Sequence, residues 1–427
     1  MQSGSNTLAP AAKRSGIFPG WGVVAGSGAG IAFGSAVFVA QCFSLLAVAL
    51  GAQFGWSQPQ LAKAASIVLL LQMVMYPTCG WALDRWGSRK VGSASILLFA
   101  LSLVLLSRIG NSLAEFYFAF VLIGLLGTGT NVISYARAIT RWFDRRRGLA
   151  LGLAAGAQAI GGFVLPIMLQ KIIAASGWST ALVVLAGFEA VVCFPIVALL
   201  VKDSPAPYGL TADGDAGAAR PAAAVAADDR HELSGLIRQG VFWKMAIAFA
   251  IMGMTFYAWA TNVAFVLTKT AGMTLAQVAI AQAITGVAFL FGRVIMGWLL
   301  DKVHAARIAV ASLAMVALFF LLVVHASTPT MVLSATVLFG FAAGGENDLL
   351  PYLAGRYFGT HAVSKVFGWF LSAYVIGAAI GPFAFAQASS IFGGPVVPLY
   401  GLMAVQIVPA LLFLSLGPYR EKRLDAH

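Results

Sequence analysis

Apolar runs of about 20 residues recur along the whole chain, separated by short polar and basic stretches. At 1.5 Å per residue, one such run crosses the roughly 30 Å hydrocarbon core of a bilayer as a helix. The pattern predicts spans at Trp21–Val48, Leu61–Leu83, Val91–Ser107, Phe116–Ala136, Gly148–Ala174 and Ala181–Val201. After a break it predicts Phe242–Leu267, Leu275–Leu299, Ile308–His325, Met331–Leu353, Phe367–Ile391 and Val397–Leu416. The break, residues 202–240, is rich in alanine, glycine, proline and aspartate, loses apolar periodicity, and reads as a flexible linker. The expected organisation is a tail (1–18), a six-helix bundle (19–201), the linker, a second six-helix bundle (241–418) and a tail (419–427). This is an all-α integral membrane fold of twelve transmembrane helices.

Composition agrees. Hydrophobic residues make up 60% of the chain and charged residues 10%, with a mean hydropathy of +0.88. A water-soluble domain carries roughly 25% charged residues, so most of this surface must face lipid. The net charge of +12 would suggest nucleic acid in a soluble protein, but the basic residues lie in short loops between apolar spans. With the N-terminal tail inside, about 20 of the 27 lysines and arginines fall on that side. Only Lys63, Arg108, Lys171 and Lys269 fall on the other, which is the positive-inside pattern with both termini cytoplasmic. The expected location is a plasma membrane, the bacterial inner membrane. Cys42, Cys79 and Cys193 fall inside apolar runs and read as small packing residues.

The halves repeat each other. "GWALDRWGSRK" from Gly80 follows the second span and "GWLLDKVHAAR" from Gly297 follows the eighth. A Gly-Trp-x-Leu-Asp-basic pattern six spans apart implies two homologous bundles with a site between them near mid-membrane. The loop at Gly80, Asp84, Arg85, Gly87, Arg89 and Lys90 resembles the signature of the major facilitator superfamily, and Asp301 and Lys302 stand in the weaker second copy. Within it the chain is most similar to the monocarboxylate porters and the oxalate–formate antiporter branch. "PGWGVV" from Pro19, "RWFDRRRGLALGLAAGAQAIGG" from Arg141 and "GGENDLLPYLAGRYFG" from Gly344 carry that resemblance. It implies the major facilitator fold, two pseudo-symmetric bundles, and a secondary transporter for small organic anions, with no cofactor.

Arg293, inside the eighth span, is the most informative residue. An arginine in hydrocarbon costs roughly 2.5–3.5 kcal/mol on insertion scales, so it faces a cavity or a partner. Its planar fork matches a carboxylate with two parallel hydrogen bonds. The resemblance implies a substrate-carboxylate role at this position; a structural ion pair is the alternative. Phe289 stands where animal monocarboxylate porters carry an aspartate, and Tyr374 where the oxalate antiporter carries a second cation. One buried cation rather than two favours a monocarboxylate. Asn262 matches an asparagine of the oxalate antiporter's seventh helix, and Asn131, Tyr135, Tyr257 and Tyr374 are further candidates to line the path. Interhelical hydrogen bonding uses the same residue types.

Three intramembrane acids are candidates for proton coupling. Glu346 and Asp348 of the tenth span are two apart and point to different sides of their helix. Asp348 falls in register with Tyr352 and Arg356, which suggests a local network at the gate. Glu346 is the better proton carrier, since a carboxyl in a low-dielectric interior can take up and release a proton. Glu189, in the sixth span, is either a packing hydrogen bond or a relay. Arg137, Arg141 and Arg356 read as gate residues. Gly148, Gly152 and Gly156, and also Gly377 and Gly381, form stripes suited to close helix approach, and Pro166 and Pro382 can bend their helices.

No phosphate-binding glycine loop and no metal-binding histidine pair occurs in the sequence. The best-supported expectation is a carrier for a small carboxylate, coupled to a proton or exchanged for a counter-anion, acting as a monomer in the bilayer. Efflux of amphipathic drugs ranks lower because the Gly-Pro of drug antiporters is missing before "AIGG". A ligand sensor lacks an output domain, and no catalytic constellation supports an enzyme.

Overall fold

A computed structural model describes residues 18–214, 238–300, 302–358 and 363–417, excluding the side chains of Asn347, Asp348 and 363–365. The described residues form helices joined by short turns. Numbered in chain order they are α1 (Gly20–Phe54), α2 (58–86), α3 (88–106), α4 (Leu113–Trp142), α5 (147–176) and α6 (178–200). The second set is α7 (Gly240–Thr270), α8 (Leu275–Leu300), α9 (Ala305–Val324), α10 (Pro329–Phe358), α11 (Val363–Ile391) and α12 (Val396–Leu414). All twelve predicted spans fall on these helices. The ends carrying Gly20 and Leu414 define a tail side, and the opposite ends a far side.

Local chemistry sets the boundaries. The helix of α1 runs six residues beyond its predicted end, to Phe54, where Gly55 takes a left-handed conformation (φ 71°) and its N–H returns to the Gly51 carbonyl. α2 opens with a capping box, in which Ser57 and Gln60 satisfy each other's backbone donors. Gly87 (φ 83°) turns α2 directly into α3, and Gly177 (φ 84°) turns α5 into α6. α1 contains a π turn at Phe38–Cys42 and α6 one at Glu189–Cys193, a distortion found frequently at functional sites.

Without a hydrophobic force between helices in lipid, packing depends on close fit. In the second bundle α7 meets α11 where Gly253, Gly377 and Gly381 lie against the backbone of Tyr374, Ala250 and Met254. α8 meets α10 in the same way through Gly292, Gly340 and Gly344. The Gly377–Gly381 stripe thus packs as its sequence suggests. The Gly148–Gly152 stripe does not: neither has an atom within 4 Å of where a Cβ would stand. The close approaches of α5 belong instead to Gly161, against Ala32 of α1, and Gly162, against Gly286 of α8. Between the bundles, α5 lies along α8 and α11 along the α2–α3 hairpin.

The start of the expected linker is not loose. Trp142 Nε1 donates to the Lys202 carbonyl, and the Lys202 ammonium stands 4.1 Å over the Tyr208 ring. The Asp213 carboxylate accepts from the Asp144 and Arg145 N–H groups. Residues 215–237, like the tails before Phe18 and after Gly417, lie outside the described residues.

Candidate substrate site between the bundles

One face of α8 builds the site. Gln282, Gly286 and Arg293 are four and then seven residues apart, so at about 100° per residue they share a face. That face looks at the first bundle: Gln282 Nε2 donates to the Gln41 carbonyl (2.8 Å) and to Ser44 Oγ (3.1 Å), and Gly286 touches the backbone of Gly162. Arg293 continues it two turns nearer the tail side, half-buried.

The seam ends at that level. Leu290 still reaches to 3.9 Å from the position of a Cβ on Gly156. Beyond it Gly148, Gly152 and Gly297 border open space, as do Gly80 of α2 and Gly368 of α11. On the far side the bundles are latched. Gln58 Nε2 donates to Asn262 Oδ1 (2.8 Å), and Leu45 packs with Trp259 and Val263. The bundles are therefore closed at the far side and parted at the tail side, with Arg293 at the transition.

Between latch and opening lies a small cavity lined by Gln41, Phe256, Trp259, Gln282, Thr285 and Phe339 among others. Gln282 Oε1 has no partner among the described residues. Gln41 and Gln282 were missed as site candidates, although a glutamine inside an apolar span was a readable signal. Tyr257 and Tyr374 are half-buried at the seam, and Tyr76 of α2, also missed, faces both Tyr257 and the Asn131 amide.

Other candidates lie elsewhere. Asn262 is fully buried and fully occupied: its Nδ2 donates to the Ala258 and Pro382 carbonyls and to Thr261 Oγ1, while Oδ1 holds the latch. Tyr135 is enclosed within the first bundle against Gly30 and Gly92, beside Glu189, Cys193 and Cys79. Glu189 is fully buried there, neither carboxyl oxygen hydrogen-bonded among the described residues. Glu346 lies inside the second bundle, near Tyr374. The Asp348 side chain and Asp301 lie outside the described residues.

The gate motif assembles on the tail side. Arg137 pairs with Asp84 (2.8 Å) and also donates to the Leu83 carbonyl. Arg85 stands 5.8 Å over the Trp81 ring, and Lys302 stands 3.7 Å over Trp298, the same i, i+4 pair in both copies of the repeat. Asp203 fills the space beside Gly87 and accepts from the Arg89 N–H. Arg356 lies over Tyr352, whose hydroxyl closes on the Leu300 carbonyl. Lys90 and Arg141 are exposed. Burial works against the charge of Asp213, but the N–H groups of Arg145, Asp144 and Arg146 and the Arg145 cation outweigh it and lower its pKa. No cluster of three His, Cys, Asp or Glu side chains occurs among the described residues.

Two helical bundles, latched on the far side and parted on the tail side, have the arrangement of a membrane transporter. The family profile described as Major Facilitator Superfamily matches residues 28–382, and the chain belongs to that family. It is 24% identical over 340 residues to an uncharacterized MFS-type transporter, YhjX, of Escherichia coli, covering 78% of this chain and 80% of that one. It is 24% identical over 368 residues to monocarboxylate transporter 12 of Rattus norvegicus, covering 82% and 76%. Its fold matches the crystal structure of a bacterial homolog of the human lysosomal transporter Spinster with a TM-score of 0.71 and 12% identity, over 93% of this chain and 96% of that one. The chain is a multi-pass membrane transporter rather than an enzyme.

Proposed function

We propose that the protein carries a small organic monocarboxylate across the bacterial inner membrane by alternating access, with Arg293 receiving the carboxylate. The observation that carries this reading is the position of Arg293 on the inter-bundle face of α8, where the seam opens. A guanidinium offers two parallel donors there, and the aromatic surfaces of Tyr257 and Tyr374 accept the rest of a small acid. Similarity to a monocarboxylate transporter supports the class. The tail side is taken as cytoplasmic because the basic loops lie there. Moving the anion against its gradient requires a co-transported cation or an exchanged anion, and the burial of Glu346 supports it as the group that carries the cation.

The test is thermal stabilisation of the detergent-purified protein across a panel of carboxylic acids, with Arg293→Gln alongside. A ligand of the folded state raises apparent stability by mass action, by about 2.7 kcal/mol at a hundred times its Kd. One acid class should stabilise the wild type, and the variant should lose that response. Equal responses from both proteins would make Arg293 structural.

A further inference from the structure

Inside the second bundle a separate small cavity, with room for about one water-sized species, lies between α7, α9, α10 and α12. Met252, Phe256, Val316, Phe339 and Ala343 form its apolar wall, and its polar groups are Thr255, Glu346 and Gln406. All three are more than nine-tenths buried: 2%, 8% and 3% exposed. Gln406 Nε2 donates to Thr255 Oγ1 (2.8 Å), and Gln406 Oε1 has no partner among the described residues. No lysine or arginine lines the cavity. Tyr374 of α11 is the titratable neighbour of Glu346.

The donor and acceptor count is lopsided. The cavity offers a carboxylate, an amide oxygen and a hydroxyl oxygen as acceptors, against the Thr255 hydroxyl hydrogen and the second N–H of the Gln406 amide. A buried acceptor left unsatisfied costs about 1–3 kcal/mol, and more when charged. A proton neutralises Glu346. A cation in the cavity that Glu346 and Gln406 both line neutralises it too and engages the amide oxygen as well. Hard oxygen donors suit alkali and alkaline-earth ions. A single carboxylate balances one positive charge, whereas a divalent ion would leave a net charge in the bundle interior.

The first bundle supplies an internal control. Ser35 and Thr255 each lie fifteen residues beyond the first residue of α1 and α7, and Thr130 and Glu346 each lie seventeen beyond the first of α4 and α10. In the first bundle the account closes with protein groups alone. Ser35 Oγ donates to the Gly127 carbonyl (2.8 Å) and accepts from Gln72 Nε2 (3.0 Å), while Thr130 Oγ1 donates to Gly127 (2.7 Å) and accepts from the Ser35 N–H (3.0 Å).

We propose that the cavity of Thr255, Glu346 and Gln406 is a sodium site, ligated by these three side-chain oxygens, whose occupancy drives transport. The coupling rests on the carrier reading above; the binding does not. Sodium held there neutralises Glu346 and ties α10 to α7 and α12 while Arg293, on the neighbouring α8, takes the anion.

The experiment is saturable binding of radiolabelled sodium to the purified full-length protein, without carboxylate, at constant pH and ionic strength, with N-methylglucamine as the replacing cation. Wild type and Arg293→Gln should bind sodium alike, and excess unlabelled sodium should displace the label. Glu346→Gln and Gln406→Leu should each lose tenfold or more in affinity, and Thr130→Val none. Because Glu346→Gln could impair folding, monodispersity on size exclusion is required of each variant, and Gln406→Leu and Thr255→Val carry the test if it fails. Absence of saturable binding to folded wild type overturns the proposal. So does wild-type affinity in both Gln406→Leu and Glu346→Gln, or a site that responds to pH alone, which would mark a proton site or a bridging water. A sodium response without a carboxylate response would leave this site standing and remove the proposed substrate.

Discussion

The two bundles use the same positions for different purposes. At the Ser35–Thr130 position the first bundle is neutral, and every hydroxyl there is matched by a carbonyl, an amide or a backbone N–H. At the corresponding Thr255–Glu346 position the second bundle carries a charge and an unmatched amide oxygen around a cavity. At this one pair of positions the first bundle is closed by its own groups, while its unsatisfied carboxyl, Glu189, lies elsewhere, on α6. Arg293 also lies in the second bundle, so both groups that would meet ions are on the same side of the inter-bundle gap.

The most severe way to break this asymmetry is to give the second bundle the first bundle's residues. Thr255→Ser with Glu346→Thr should leave a folded protein whose transport falls a hundredfold or more, measured as uptake by proteoliposomes. Next in size, Gly344→Val should collapse the α8–α10 contact, because its Cβ position already meets the Phe289 carbonyl and the Arg293 backbone N–H. Overpacking of that kind costs about 1–3 kcal/mol. Gly152→Ala, on the open stretch of α5, should fold normally, and heat-induced aggregation compares the two. Removing the closed network by Thr130→Val should cost about 1–3 kcal/mol of stability by the same assay, with no change in ion dependence.

Smaller again is the far-side latch. Asn262→Leu removes the acceptor for Gln58 and should shift the balance toward a far-side-open form by about 1 kcal/mol, read as faster labelling of a cysteine placed at Leu45, which is buried beside the latch. The smallest effect concerns Asp213. Its pKa is lowered in the folded state, so its contribution is present above the ordinary carboxylate pKa and lost as pH falls through the folded value. Asp213→Asn should therefore differ slightly from wild type in melting temperature at pH 7 and converge with it in acid.

Most of the fold was legible because lipid imposes a strict length and polarity code on each span. Twelve runs were enough for the helices, and the resemblance carried by the loop from Gly80 to Lys90 was enough for the family. The site was legible only in part. Arg293 announced itself through its cost in hydrocarbon, and Glu346 through the same argument. Asn262 and Tyr135 have the same residue chemistry as pore-lining groups, and only three-dimensional placement shows one in a latch and the other inside a bundle. Gln406, Gln282 and Gln41 were passed over because a neutral amide in an apolar span costs less than a charge and stands out less. The Gly148–Gly152 stripe misled for a different reason. A small-residue stripe permits close approach without requiring it, and here no neighbour stands against it.

The central claim is that Arg293 receives a carboxylate between the bundles. Its most direct test is concentrative uptake of the most stabilising acid into proteoliposomes, with wild type and Arg293→Gln reconstituted at equal density. The account predicts saturable uptake by the wild type, and a loss of a hundredfold or more in the variant that methyl esterification of the acid reproduces with the wild type. Equal uptake by the two proteins, or transport of the methyl ester as fast as the acid, would contradict it.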